Sequence, residues 1–309
     1  MNDFDAVPHE WFSPAGWKPP MIDVIIVNFN STRWVLRCLE SFRDEIKRQR
    51  VKVIVQDNAS SESLACIKEA FPDVLVRRNA GNIGFARAVN QALEVSGSEY
   101  VTILNPDTVV MEGFWPSSLE FMVENPQVGV LGPAILNPDG TVQGSARAFP
   151  GLLTALFGRN SPLSRLLPKN AITRANVLSR RSDGITPMEV DWVSGACMLV
   201  RRQAIKEVGM MDPRFFLYWE DADWCRRMWM KGWKIVYFPS AKVVHQVGAS
   251  SSTKPVLSLY EFHRSSYKLF NKQIKDPFGL LSPFVAFALA MRFGLVLALR
   301  FLGEKKFFR

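Results

Sequence analysis

The stretch Tyr100-Val-Thr-Ile-Leu-Asn-Pro-Asp107 is β-branched and apolar through Leu104, is halted by Pro106 and ends in a carboxylate. A run of this kind reads as a strand covered on both faces. Asp107 then falls where the strand leaves the sheet, the edge at which open α/β sheets bind ligands. A hard oxygen ligand there suits a divalent cation carrying a diphosphate. Asn-Pro-Asp is equally ordinary turn chemistry, so the surrounding sequence has to separate the two readings.

Upstream, Ile22–Val27 is another β-branched run and predicts a central strand. Asn28-Phe-Asn-Ser-Thr32 offers turn and N-cap chemistry, and Trp34, Leu36, Leu39 and Phe42 mark a helix. Val51–Gln56 predicts a buried strand ending at Asp57, with Asn58-Ala-Ser-Ser61 as the cap of a helix reaching about Phe71. Val74–Arg77 predicts a short strand. The glycine-rich turn Asn79-Ala-Gly-Asn-Ile-Gly84 leads into a helix over Phe85–Val95, and a further helix is expected around Trp115–Val123. Strand alternating with helix over short links predicts a parallel, doubly wound sheet. Neither G-x-G-x-x-G nor G-x-x-x-x-G-K-[ST] is present, which argues against a dinucleotide or P-loop site. Instead Asp57, Asp107 and the 79–84 turn all fall at carboxyl ends of predicted strands, along one edge. Asp57 can accept the imide N–H of uracil or thymine, or simply cap the next helix.

Beyond Leu136 the pattern changes. Asn137-Pro-Asp-Gly140 reads as a tight hairpin turn. Residues 145–187 mix arginines with leucines and phenylalanines, as a flap, a membrane-facing insert or a basic surface loop would. Val190–Val200 alternates small and apolar residues around Ser194-Gly-Ala196, where glycine lets backbone approach a ligand. Phe215-Phe-Leu-Tyr-Trp-Glu-Asp-Ala-Asp-Trp224 sets Glu220, Asp221 and Asp223 among aromatics. If Glu220 opens a helix, Asp223 can pair with Arg226 or Arg227 one turn on while Asp221 faces a cleft. Such a carboxylate has a raised pKa and suits general-base work, although acids in a first helical turn also complement the helix dipole. Strands are expected over Trp233–Phe238 and at Lys242–His245; a lone histidine such as His245 is a metal ligand or a structural residue.

A 48% hydrophobic content excludes global disorder. A net charge of +9 points to anionic partners; nucleic acid is disfavoured because no interleaved aromatic-basic motif accompanies the charge. Four cysteines without C-x-x-C spacing argue against zinc and a disulfide framework, with a reducing cytosol as the natural compartment. Residues 1–20 lack an apolar h-region and read as an irregular arm. Leu280–Leu302 is long and apolar enough to span a bilayer but contains Arg292, and a central arginine costs about 2.5–3.5 kcal/mol there. Ser282, Arg292 and Arg300 share a helical sector of roughly 80°. That favours a helix lying in the interface with Lys305, Lys306 and Arg309 on anionic headgroups; a transmembrane anchor and a buried dimer helix are the alternatives.

Taken in order, Val27-Asn-Phe-Asn30, Asp57-Asn-Ala-Ser60, Asn79-x-Gly-Asn-x-Gly-Phe-Ala86-x-Ala-x-Asn90, Asn105-Pro-Asp107, Ser194-Gly-Ala196, Glu220-Asp-Ala-Asp223 and His245 resemble glycosyltransferase family 2, in its bacterial rhamnosyltransferase-like branch. The resemblance spans about residues 21–250. It implies a GT-A (nucleotide-diphospho-sugar transferase) fold, a Rossmann-like mixed α/β sheet with helices on both faces, followed by a C-terminal helical, membrane-associating extension. It also implies an inverting mechanism and a divalent metal, Mg2+ or Mn2+. By the same resemblance Val27, Asn28, Asn30, Asp57, Asn82, Gly84, Arg87, Asn90 and Asn105 serve the donor nucleotide, and Asp107 and His245 hold the metal. Asp221 matches the catalytic base, with Glu220 beside it, and Trp192, Ser194, Gly195, Ala196 and Trp219 face the acceptor. Asn105 departs from the family's D-x-D motif. The expected organisation is an arm (1–20), a catalytic domain (21–255) and a C-terminal segment (256–309). Within the catalytic domain, 21–127 forms the nucleotide half and 128–255 the acceptor half. Implied partners are a dTDP- or UDP-sugar donor, a lipid-linked or polysaccharide acceptor and the cytoplasmic face of the inner membrane, with a homodimer left open.

Overall fold

The computed structural model describes residues 22–150, 176–246, 255–274 and 279–301. The expected arm over 1–20, the middle of the basic insert and Lys305, Lys306 and Arg309 lie outside the described residues.

The first half runs β1 (Ile22–Asn28), α1 (Thr32–Glu40), α2 (Arg43–Lys47), β2 (Val51–Asp57), α3 (Ala65–Ala70), β3 (Leu75–Arg78), α4 (Phe85–Glu94), β4 (Tyr100–Leu104), β5 (Thr108–Val110) and α5 (Phe114–Glu124). The second continues with β6 (Val128–Leu136), β7 (Ala146–Arg147), β8 (Met188–Glu189), β9 (Trp192–Val193), β10 (Cys197–Arg201), α6 (Arg202–Val208), α7 (Glu220–Met230), β11 (Lys234–His245), α8 (Pro255–Gln273) and α9 (Leu281–Phe301).

Every residue of β1 and β4 is buried, as strands covered on both faces must be. β1 lies parallel between β2 and β4, and β3 adds in parallel beyond β2, so this half has the predicted arrangement. The second half makes the sheet mixed. Among the described residues the nine-stranded order is β3-β2-β1-β4-β10-β6-β11-β5, with β8 on β11. β10 is antiparallel to both β4 and β6, and β11 is parallel to β6 but antiparallel to β5. Side chains of β1 alternate between two cores. Val24 and Ile26 meet Val35, Leu39 and Trp115 from α1 and α5, whereas Ile25 and Val27 meet Ala88, Val89 and Trp224 from α4 and α7.

Several local expectations are corrected. The Ser31 side chain does not cap α1; its Oγ donates to the Phe29 carbonyl, and the Thr32 N–H instead reaches Glu62 Oε2 at 2.8 Å from a neighbouring loop. Asn58-Ala-Ser-Ser61 caps nothing either, because α3 begins only at Ala65 and the segment turns back onto the end of β1. The two strands expected over 233–245 are one strand, β11, whose register against β6 shifts between Phe238 and Lys242. Pro239, which has no N–H to give, sits in that irregularity. The short β5, unmarked in the sequence, pairs Thr108 with His245 and so draws the histidine back to Asp107.

α8 and α9 form a C-terminal hairpin. Ser282 Oγ lies 2.7 Å from the Tyr267 hydroxyl, and the Arg292 guanidinium sits 5.6 Å from the Phe262 ring centre. Ser282 and Arg292, the described part of the polar sector, therefore pack against α8. The opposite side of α9 leaves Phe284, Phe287, Met291 and Leu295 exposed.

Candidate active site

The carboxyl ends of β1 and β2 are adjacent, with Asn28 opposite Asp57. Asn28 Nδ2 donates to Asp57 Oδ1 at 2.8 Å, and the Ser60 N–H donates to Oδ2 at 3.1 Å. Arg78 adds an ion pair at 3.4 Å, and its guanidinium also meets the Ser60 carbonyl. Asp57 is fully buried among these groups. Asn30 takes a left-handed conformation, φ +51°, that asparagine tolerates, and its Oδ1 accepts the Ser61 N–H at 2.8 Å. Val27 contributes only apolar bulk beneath.

The glycine-rich turn does mechanical work. Gly84 has φ +90°, and a Cβ there would lie 2.7 Å from the Phe216 carbonyl oxygen, so only glycine fits. The Phe85 N–H donates to that carbonyl at 2.7 Å. Asn90 commits both amide atoms to Met211, donating to its carbonyl at 2.8 Å and accepting its N–H at 3.0 Å. Arg87 Nε reaches the Pro213 carbonyl at 3.2 Å. Gly84, Arg87 and Asn90, expected at the donor, thus clamp the 211–216 segment that enters α7, while Asn82 is exposed and accepts the Gly84 N–H.

At the quoted stretch, Asp107 is 6% exposed and its Oδ1 makes no hydrogen bond. His245 Nε2 lies 3.3 Å from that oxygen and 3.4 Å from Asn105 Nδ2. His245 Nδ1 faces Gln143 Oε1 at 3.2 Å, while Gln143 Nε2 donates to the His245 carbonyl at 2.8 Å. The second bond fixes which amide atom is oxygen, so Nδ1 donates to Gln143 and Nε2 is the ring nitrogen turned toward Asp107. A buried carboxylate oxygen and an imidazole nitrogen thus face each other, two groups that can each ligate a divalent cation. Asp107 and His245 therefore fit a divalent metal. No cluster of three or more His, Cys, Asp or Glu occurs among the described residues, so phosphate oxygens and water would fill the other positions.

The Ser194-Gly-Ala196 strap joins this corner to α7. The Asn105 N–H donates to the Ala196 carbonyl at 2.9 Å, and the Gly195 N–H donates to Asp221 Oδ2 at 2.9 Å. Asp221 Oδ1 accepts its neighbour's N–H, from Ala222, at 2.8 Å. Burial lifts the Asp221 pKa against these bonds and against Arg147. Glu220 is lifted well above the usual carboxylate range by burial and then by Asp221, and its Oε2 has no partner. Asp223 turns away, pairing with Arg227 at 2.9 Å and Lys272 at 2.7 Å, as the helical spacing predicts. Tyr218 and Trp219, at φ +67° and +70°, hold the strained backbone that launches this helix. Trp219 stands 6.0 Å from Trp192 and 5.5 Å from Phe262, and the Arg147 guanidinium lies 5.5 Å from the Trp192 ring centre. Sequence reasoning missed Gln143, Arg78 and Glu62; none lies in a periodic or motif context.

Buried Asp57 at the sheet edge, a carboxylate–histidine pair and a raised carboxylate on a separate helix are the groups available for chemistry. The model of Glycosyl transferase family 2 matches residues 23–209, and the chain belongs to that family; it is a glycosyltransferase. It is 33% identical to the N-acetylglucosaminyl-diphospho-decaprenol L-rhamnosyltransferase of Mycobacterium tuberculosis, over 80% of this chain and 83% of that one. It is 24% identical to the dTDP-rhamnosyl transferase RfbF of Shigella flexneri, over 74% of this chain and 70% of the other. Among solved structures, mannosyltransferase PcManGT from Pyrobaculum calidifontis, in complex with GDP-Man and Mn2+, superposes with a TM-score of 0.56 at 16% identity, covering 93% of this chain and 77% of that one. That likeness establishes the GT-A fold.

Proposed function

We propose that the protein is an inverting, metal-dependent rhamnosyltransferase. It moves L-rhamnose from dTDP-rhamnose to a lipid-linked or polysaccharide acceptor in cell-envelope glycan synthesis, at the cytoplasmic face of the inner membrane. The observation that carries the reading is the Asp107–His245 pair, 3.3 Å apart, with an unpartnered carboxylate oxygen between buried walls. The names of the similar rhamnosyltransferases support the sugar and the acceptor class.

In this reading residues 21–127 bind the donor and residues 128–255 shape the acceptor side. Asp57 meets the donor base once Arg78, half-exposed at the rim, gives up its ion pair. Asp107 and His245 hold the divalent ion, whose charge offsets that of the departing diphosphate. Asp221, oriented by the Gly195 and Ala222 N–H groups, takes the proton from the acceptor hydroxyl as that oxygen attacks the anomeric carbon from the side opposite the leaving group. A single base suffices for inversion. Trp192 and Trp219 wall the acceptor, and the exposed face of α9 rests on the membrane.

A thermal-shift panel of dTDP-, UDP- and GDP-sugars with and without Mn2+ or Mg2+ tests the donor. Stabilisation by dTDP-rhamnose that needs the metal is expected. Stabilisation by UDP-sugars alone would replace rhamnose with another hexose, and transfer unaffected by Asp221→Asn would remove the assigned base.

A further inference from the structure

Apart from the sheet edge, a cavity of about 830 Å³ opens between the start of α4, the 213–216 segment and α8. None of Asp57, Asp107, Asp221 or His245 lines it, whereas Asn82 and Arg87 of the glycine-rich turn and α4 do. Five cationic side chains do: Arg87, Arg214, Arg264, Lys268 and Lys272. The ion pairs of this set use Asp212, shared by Arg214 and Lys272, then Asp223 with Lys272 and Glu261 with Arg264. Arg87 and Lys268 join no ion pair among the described residues; each instead donates to a main-chain carbonyl, of Pro213 and of Arg214. The cavity is therefore left with uncompensated positive charge in a partly desolvated recess. Burial, followed by the nearby Arg264 charge, lowers the Lys268 pKa, a cost that a bound anion would remove.

The recess also adjoins the apolar hairpin. Tyr267 and Asn271 on its wall hydrogen-bond Ser282, in the first turn of α9. From that turn the exposed row Phe284, Phe287 and Met291 extends, and α8 adds exposed Val256, Leu257 and Tyr260. A phosphate group next to hydrocarbon is the chemistry of a phospholipid.

We propose that this cleft binds the phosphate of an anionic membrane-lipid headgroup, with the acyl chains lying along α9. It rests on the reading of α9 as membrane-facing and adds to it a specific seat for the headgroup.

The test is flotation of the full chain with vesicles of phosphatidylcholine alone and of phosphatidylcholine mixed with phosphatidylglycerol. The wild type is expected to partition more strongly onto the mixed vesicles. The Lys268→Gln/Arg214→Gln double variant should lose roughly thirtyfold on the mixed vesicles, five- to sixfold for each charge, and nothing on phosphatidylcholine. Lys268→Arg/Arg214→Lys, which keeps the charge, should bind as the wild type does and so separates a lost headgroup contact from a lost fold. Equal binding of wild type and neutral variant to mixed vesicles overturns the cleft while leaving the membrane reading standing; no binding to either vesicle overturns both. Release from mixed vesicles by inorganic phosphate, but not by chloride at equal ionic strength, would give the cleft to a free anion. Release by dTDP alone would give it to the donor.

Discussion

Gln143 grips His245 at both ends, with its Oε1 3.2 Å from the ring Nδ1 and its Nε2 2.8 Å from the main-chain carbonyl. The glutamine thereby orients the ring so that Nε2 points at Asp107. Groups that orient a metal-bound histidine in this way typically change metal affinity 10–100-fold when removed. Gln143→Leu should weaken Mn2+ binding by about that factor in isothermal titration, with the melting temperature of the metal-free protein little changed. Unaltered affinity would take His245 out of the ion's coordination.

Asp221→Asn should lower transfer about 10²–10⁴-fold while the donor dissociation constant stays within error. The wild-type rate should rise with pH, because the carboxylate is the working form and burial holds its pKa above the usual aspartate range. A rate profile with that acid limb missing would count against Asp221 as the base.

Glu220 predicts a stability effect of definite sign. Its folded pKa lies well above the ordinary 4.5, so the folded chain holds this proton better than the unfolded one does. Its contribution is greatest below the unfolded value and is lost as pH rises through the raised one. Glu220→Gln, which is neutral throughout, should raise the melting temperature near neutrality and flatten its decline with pH. Thermal melts of both proteins over a pH series make the comparison; parallel curves would refute it.

Two glycines separate backbone strain from collision. Gly84 and Gly209 have φ of +90° and +86°, but a Cβ at Gly209 meets nothing within 4 Å, whereas one at Gly84 meets Phe216. Gly209→Ala should cost about 1 kcal/mol by denaturant unfolding, and Gly84→Ala about 3 kcal/mol. Only Gly84→Ala should also slow transfer, because it pushes the 211–216 segment and with it the start of α7. Equal effects would show that the contact with Phe216 is unimportant.

The strands β1, β2 and β4 were readable because each is a β-branched, largely apolar run, broken only by Asp23, Lys52 and Thr102, that a polar residue ends or follows. The positions of Asp57 and Asp107 at the carboxyl ends of β2 and β4, and of Asp221 in the first turn of α7, followed from those runs and from the helical spacing. Less was visible where meaning depends on a distant partner. Asn90 looks like a pocket residue in its motif, yet both its amide atoms go to Met211, 121 positions away. Gln143 and Glu62 carry no periodic signal; they matter through His245 and Thr32, which only the folded chain brings near. The sector of α9 holding Arg292 was read as favouring a helix in the membrane interface, but Arg292 packs against Phe262 of α8, since a helix wheel reveals which residues share a side and not what lies opposite.

β10 comes from the second half of the chain but lies between β4 and β6, hydrogen-bonded antiparallel to both. Residues 22–127 and 128–246 are consequently joined by the β4–β10 pairing and again, at the far edge, by β5 on β11, and are not autonomous folding units. A chain cut at residue 127 would leave β4, buried throughout in the intact chain, with an open edge, the kind that pairs with other chains and aggregates. Exchanging acceptor halves between related transferases to change linkage would therefore require carrying the β4–β10 seam across as a matched pair.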